Sequence, residues 1–482
     1  MIFSNKLVSL LRSFSKYDLN RFRKMVRSPY YNEQEDLVRL FDYIHSILKK
    51  EPIRFERLDK LQVCKTVWPD IQPDEVQIRR TASELTHLAF QFLILKAREE
   101  HPIADLLDLQ QQLHQLALKK HLDGVERQFE HLMNTDSNRS ADYYLSGFRM
   151  HHQQYGRSTQ SGKKADISVH LEQSERHLDI FYVVQKLKFY VEWLTVRALR
   201  ATDKGFSESE GFWVYAKRFE DVPLVALYLN VIQCLTNMEE VSYFEKLLKN
   251  LAEFAEKLAA SDLRDGYHIA QNYCAFNINR GKPEYYLQTL NIYKKMLKNH
   301  ILLENGVLAE GLYKNIITSG LRVGEFAWVE AFIHDYSGNL PAHLRENART
   351  FNLANLYSHQ KQHQKVIETL QNVEYSDVMY AMSSKVILVR TYYDLGELLS
   401  LDSLIDSFRT YIRRNKLISS NLKSEYTKFL NLVHQLISLE VYDSKALANL
   451  KQKVTATSSA TPKKWLLEKI EELEEKRRRP KR

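Results

Sequence analysis

PAHLRENARTFNLANLYSHQKQHQKVIETLQN, residues 341–372, reads as two helices, 341–359 and 363–372, joined by a short turn at Lys361-Gln362. The layout recurs on both sides. Paired helices are expected at 262–279 and 283–298, 304–320 and 325–336, 377–395 and 401–415, and 420–440 and 444–455. The first helices of successive pairs start 42, 37, 36 and 43 residues apart. Two helices per unit at a period of roughly 35–45 residues mark a helical solenoid. Such a unit cannot bury its apolar face alone, so it stacks on its neighbours.

The turns inside the pairs set a register. Gly281-Lys282, Gly324-Glu325, Lys361-Gln362 and Gly396-Glu397 hold equivalent places, 43, 37 and 35 residues apart. Glycine there lets a first helix stop in a left-handed conformation. Nine residues before each turn stand Asn272, Asn315, Asn352 and Ile387. Three of the four are asparagines in phase.

Leu353-Ala354-x-x-Tyr357, a short turn, then Ile367 and Leu370 resembles a tetratricopeptide repeat (TPR), and Gly324-Glu325-Phe326 resembles the glycine–acid–aromatic turn of that family. The likeness covers roughly residues 262–415 and is degenerate. Thr350 stands where the family favours tryptophan, Val366 replaces a small alanine, and no proline closes the repeat near Val378. The resemblance implies an all-α fold, an α-solenoid of antiparallel helical hairpins. It also implies that the first helices line a concave groove faced by the in-phase asparagine. By that analogy the groove holds Asn272, Asn315, Asn352, Asn355, Arg390 and Tyr393. Over the whole chain, the Ser28-Pro29-Tyr30-Tyr31-Asn32 break and Lys464-Trp465-Leu466-Leu467 resemble those of uncharacterised bacterial TPR-like proteins, a likeness that brings no function with it.

Working outward gives four segments: an N-terminal helical domain over 1–100, an irregular helical-hairpin region over 101–260, the TPR-like repeats over 261–457, and a C-terminal helix with a basic tail over 458–482. Leu7, Leu10, Leu11 and Phe14 form one helical stripe, the pattern of a packed helix rather than of a transit peptide. Ser15-x-x-Asp18, Asn32-x-x-Glu35, Ser207-x-x-Glu210 and Asn237-x-x-Glu240 read as capping boxes. Pro29 pushes Ser28 out of the α region, and helices end near Trp68-Pro69 and restart after Pro73. GRSTQSGKK, residues 156–164, is the best candidate for a flexible excursion. Thr461 as N-cap and Pro462 at the first helical position open the last helix, with Trp465, Leu466, Ile470 and Leu473 as its stripe. Docking of that helix as a terminal cap and binding of a partner by it are both open.

Composition excludes several classes. Only 14 glycines and 10 prolines occur in 482 residues, too few for the turns of an all-β protein. No apolar run reaches the roughly 18–20 residues of a membrane helix. Cys64, Cys234 and Cys274 are far apart with no CxxC pair, which points to reduced thiols in a cytoplasmic protein and away from structural zinc. The net charge of +9 sits at the two ends. Residues 1–32 and the run Lys476, Arg477, Arg478, Arg479, Lys481, Arg482 carry +6 each, leaving the body at −3.

No P-loop, GxGxxG, HExxH, GxSxG or kinase signature occurs, and no residue stands out as catalytic, cofactor-binding or metal-binding. His359 and His363 have ligand spacing but straddle a turn, His151-His152 point apart, and His170 and His177 lie two turns apart. Tyrosine pairs such as Tyr392-Tyr393 read as core residues with a polar tip. The expected function is a non-catalytic protein–protein interaction scaffold that holds a peptide or partner surface in the groove. The alternative is an RNA- or DNA-associated helical-repeat protein using the basic termini.

Overall fold

The computed structural model describes residues 5–49, 60–99, 102–135, 138–161, 164–200, 209–304, 306–370, 377–439, 444–457 and 462–478. Among these residues the chain is all-α, and its only β pairing is an isolated bridge between Glu304 and Val307. Two compact units divide it, Met1–Tyr182 and Val183–Arg482, and the division falls inside a helix, Lys164–Arg200.

The first unit contains α1 (Asn5–Arg12), α2 (Lys16–Val26), α3 (Glu35–Leu48), α4 (Lys60–Val67), α5 (Glu75–Glu99), α6 (Pro102–Gln115), α7 (Lys119–Thr135), α8 (Ala141–Ser161) and the start of α9 (Lys164–Arg200). Helix α5 buries Ile78, Ala82, Leu85, Leu88, Ala89 and Phe92 at helical spacing, and α1, α2 and α3 all pack on it. Phe22 is fully enclosed, with the rings of Phe14, Phe41 and Phe92 at 5.8, 5.1 and 5.5 Å. Full burial of one such ring contributes ~1.5–3 kcal/mol. Leu7 and Leu11 enter the same core, so the first helix is a packed one.

The Ser15 capping box forms: Ser15 Oγ accepts from Asp18 N at 3.0 Å and donates to Asp18 Oδ2 at 2.8 Å. Lys96 Nζ, also 2.8 Å from Asp18 Oδ2, holds that carboxyl below the usual carboxylate range and ties α2 to α5. Helix α6 stops at Gln115, and Ala117 just beyond it takes a left-handed φ of 58°. The excursion expected at 156–164 is instead helix as far as Ser161, and residues 162–163 lie outside the described set. Arg157 explains the continuation, since its guanidinium reaches Glu126 of α7 at 2.6 Å and keeps the last turns of α8 on a neighbour.

The second unit begins with the rest of α9, then α10 (Glu210–Lys217), α11 (Pro223–Thr236) and α12 (Val241–Glu253). Asn237 does not open α12; it closes α11, with Nδ2 donating to Gln233 O at 3.0 Å. Ser209 precedes α10 as its N-cap, and the expected cap Ser207 lies outside the described residues. Five helical pairs follow: α13 (Ala260–Asn279) with α14 (Tyr285–Lys298), α15 (Glu310–Val323) with α16 (Phe326–Tyr336), α17 (Arg345–His359) with α18 (His363–Leu370), α19 (Val378–Leu395) with α20 (Leu398–Arg414), and α21 (Ser420–Ser438) with α22 (Ser444–Thr455). The last helix is α23 (Lys463–Arg478). Partners within every pair touch, each second helix also touches the next first helix, and first helices meet at α11–α13, α15–α17 and α17–α19.

One expectation fails between α14 and α15. Helix was expected from residue 304, but Gly306 turns at φ 77°, Glu304 bridges Val307, and α15 starts only at Glu310. At the other end of the array a polar knot joins α9, α11 and α13. Tyr228 Oη is 2.8 Å from Asp262 Oδ1 and 3.1 Å from Asp265 Oδ2, and Lys188 Nζ is 2.6 Å from Asp262 Oδ1. Asp262 is only 1% exposed, so this ion pair is a buried one. No described helix is long and apolar enough to cross a membrane.

Candidate functional site

The site is built on how four first helices end. Gly281, Lys361, Gly324 and Gly396 all take left-handed φ, at 84°, 57°, 85° and 74°. In each case the next residue's N–H bonds the carbonyl five positions back. These bonds are Lys282 to Asn277 at 3.1 Å, Glu325 to Gly320 at 3.0 Å, Gln362 to Tyr357 at 2.9 Å and Glu397 to Tyr392 at 3.0 Å. This Schellman closure repeats at every turn, and it gives equal register positions the same angular place on their helices. Positions nine, six and two residues before the turn therefore share one face, three and four residues apart. On α15 they are Asn315, Thr318 and Arg322; on α17 Asn352, Asn355 and His359; on α19 Ile387, Arg390 and Asp394.

The expected groove residues separate into three situations. Asn272 and Asn315 are exposed, and Asn315 also bonds the Tyr293 hydroxyl, which burial nevertheless pushes up to about 12. Asn352 is enclosed at 1% exposure, with Nδ2 donating to Ala348 O at 2.7 Å. It cannot be a rung of a surface ladder, because its amide is spent on its own helix and the helices on either side close over it. Asn355 is half-buried.

Arg390 and Tyr393, also half-buried, lie under α23. The Arg390 guanidinium stands 5.8 Å from the Trp465 ring centre, and Tyr393 meets that ring edge-on at 5.3 Å. Trp465, Leu466 and Ile470 belong to one core with α19, α20, α21 and α22, and Lys469 reaches Asp394 at 3.0 Å. Of the two alternatives for the last helix, docking is what the structure shows. Thr461 and residues 479–482 of the basic tail lie outside the described residues.

Electrostatics at this place are unbalanced. Burial lowers the Arg390 pKa; Asp394 and Glu468 oppose that and Arg322 adds to it. His359 is likewise lowered by burial first, then by Arg390, Arg322 and Lys464. Arg322 of α15, Arg390 of α19 and Lys464 of α23 thus all lie within electrostatic reach of His359. Arg322 was not singled out from sequence and His359 only for its spacing from His363, although both stand two residues before a turn, in the register the asparagines had revealed. Arg390 Nε and Trp465 Nε1 are buried with no hydrogen-bond partner.

The remaining chemistry is sparse. Among the described residues no group of three or more His, Cys, Asp or Glu is placed to hold a metal ion. Cys234 and Cys274 are buried thiols pushed up to about 12 and about 11 by that burial. A cleft of about 600 Å³ in the first unit is bordered by Arg21, Lys96, Arg98, Glu99 and Asp108. Four of its charges pair with one another, Arg21 with Glu99 and Arg98 with Asp108, and Lys96 is engaged by Asp18. Comparison with protein-family models, with curated proteins and with solved structures finds no match.

Proposed function

We propose that the protein is a non-catalytic interaction scaffold whose C-terminal half is a TPR-like α-solenoid, and that it holds a protein segment on the face of its first helices. The observation that carries this reading is the seat of Trp465. A helix from the chain's own C-terminus lies on Arg390, Tyr393 and Asp394, so this face accepts an amphipathic segment with an aromatic anchor. Asn272 and Asn315, exposed on α13 and α15, extend the same register beyond α23. Amide side chains there can bond the backbone of an extended or helical partner without any chemistry being done to it.

The test is affinity capture with the full chain and with an Asn272→Ala/Arg322→Ala variant, which leaves the Asn315 bond to Tyr293 intact. Both side chains are exposed, so the melting temperature should stay within about 2 °C of wild type. Partners retained by wild type should be lost by the variant. A capture profile identical for both proteins would refute the reading.

A further inference from the structure

Two clefts treat their charges differently. In the first unit the cleft's cations meet carboxylates. In the second unit a cleft of about 470 Å³ opens between α20 and α21, which the short connection 415–419 joins. Asp406, Arg409, Thr410 and Arg413 border it from α20, spaced for one helical face, and Lys423 and Thr427 border it from α21. Arg409 is held in place, with Nη2 donating to Asn431 Oδ1 of α21 at 3.0 Å and Nη1 to Asp406 Oδ1 at 3.4 Å.

Asp406 is the only acid among the described residues that line this cleft, and its side chain is 79% exposed. Neither Arg413 nor Lys423 has an ion-pair partner among the described residues. Three cations therefore share one solvated carboxylate. The end of α20 accounts for Arg413, because a cation complements the partial negative charge of a helix C-terminus. It does not account for Lys423, which is half-buried near the start of α21. The dipole there favours an anion, and the first turn of α21 carries no acid.

We propose that this cleft binds a phosphate monoester, with Arg409 and Arg413 as guanidinium donors and Lys423 as a point charge beside them. Three cations less Asp406 leave a charge of +2, which answers the roughly −1.5 to −2 of a monoester at neutral pH. A single carboxylate would leave one cation unanswered. No aromatic side chain lines the cleft among the described residues, so it lacks the stacking platform of a nucleic-acid strand. The cleft lies on α20 and α21, away from Asn272, Asn315 and Arg322, so it stands or falls separately from the scaffold reading.

The experiment is a phosphorus NMR titration of the full chain with two probes, methyl phosphate and a short glycine-flanked phosphoserine peptide. Arg413→Ala/Lys423→Ala should weaken binding of both at least about tenfold, as loss of two charge-assisted contacts implies. Its melting temperature should not fall, because the two cations support no ion pair among the described residues. Arg413→Lys/Lys423→Arg keeps the charge and should stay within about threefold of wild type. Arg414→Ala/Lys416→Ala removes two exposed cations that do not line the cleft and should change affinity less than about twofold. Peptide affinity should rise about fourfold from about pH 5.5 to about pH 7.5, as the second phosphate proton leaves near pH 6. Competition by sulfate, doubly charged throughout, should stay level. Tighter binding of the peptide would assign the site to a phosphorylated polypeptide, and equal binding to a free monoester.

Binding of neither probe at about 20 mM would overturn the proposal. So would an equal loss in Arg414→Ala/Lys416→Ala, which would reduce the effect to general surface charge. Peptide affinity that ignores pH would show that the second charge is not read. A clearly lower melting temperature in Arg413→Ala/Lys423→Ala would make the cations structural and refute their role here. Tighter binding of a short oligonucleotide through the same three cations would replace the monoester with a nucleic-acid strand and overturn it too.

Discussion

Protonation of a histidine stack should loosen the first unit in acid. His151 of α8 lies between His170 and His177 of α9, with ring centres 6.0 and 5.4 Å away. His177 fills the space over Gly147, where an added Cβ would come within 2.2 Å of its ring. The Nδ1 atoms of His151 and His170 are buried without hydrogen-bond partners. Burial, then His177 and His170, push His151 down to about 4, while His177 is lowered by its own burial and by Arg176 and Arg139. Between about 4 and the unfolded value near 6.5, the unfolded chain binds a proton that the folded stack refuses. Stability therefore falls as pH drops through that window. At full weight the His151 shift is worth about 3 kcal/mol, and screening at this half-buried site reduces that to ~1.5 kcal/mol. Hydrogen exchange of α8 and α9 amides, corrected for intrinsic rates, should show protection falling roughly tenfold from pH 7 to pH 4.5 in wild type and much less in His151→Gln. A loss of protection of equal size in both proteins, or none in either, would refute the reasoning.

Lys361 adopts the left-handed conformation that glycine holds at the three equivalent turns, so Lys361→Gly should stabilise the second unit by about 1 kcal/mol in urea melts, and a destabilisation would contradict the turn argument. In the knot, Lys188→Met strands the enclosed Asp262 carboxylate and should cost ~3–5 kcal/mol. Asp262→Asn leaves a lysine that can turn to water and should cost ~1–2 kcal/mol. The double variant should resemble Asp262→Asn; simple additivity in thermal melts would show that the two side chains are not coupled. Any affinity for RNA or DNA should depend on Lys476–Arg482. Deleting that run should remove most of the binding and flatten its salt dependence, and steep salt dependence surviving the deletion would place the nucleic-acid site elsewhere.

Sequence made the helices legible because periodicity and turn chemistry are local. Gly281, Gly324 and Gly396 announced helix ends, and the in-phase Lys361 announced a fourth that lacks glycine. Legibility failed where a distant partner decided the outcome. Polar residues 156–161 stay helical because Arg157 finds Glu126, 31 residues away in sequence. Residues 304 and 306–309 lie outside helix because Gly306 lets the chain bridge back on itself and Leu308 N bonds Asn339 O at 2.9 Å. The seat of Trp465 on Arg390 and Tyr393 was equally hidden. An amphipathic stripe says that a helix must be covered, not by what.

The in-phase asparagines show where a register argument stops. Equal distance from a Schellman turn fixes equal angular position, but exposure also depends on how closely the neighbouring helices stand. Helix α17 is flanked by α15 on one side and α19 on the other. Among the described residues α13 and α15 touch at most marginally, and the connection before α15 includes His300 and Gly306 at positive φ. Asn352 is therefore sealed while Asn272 and Asn315 remain open, though all three share one register. The consequence is an asymmetry in mutational cost. Asn352→Ala deletes an enclosed amide and its bond to Ala348 O and leaves space that two packed neighbours cannot fill, for a cost of ~1–3 kcal/mol. Asn272→Ala exchanges an exposed polar residue for a good helix former and should stay within about 0.5 kcal/mol of wild type. Paired urea melts measure both. Equal effects from the two substitutions would mean that neighbour spacing does not govern this face, and the division between a structural Asn352 and an available Asn272 would fall.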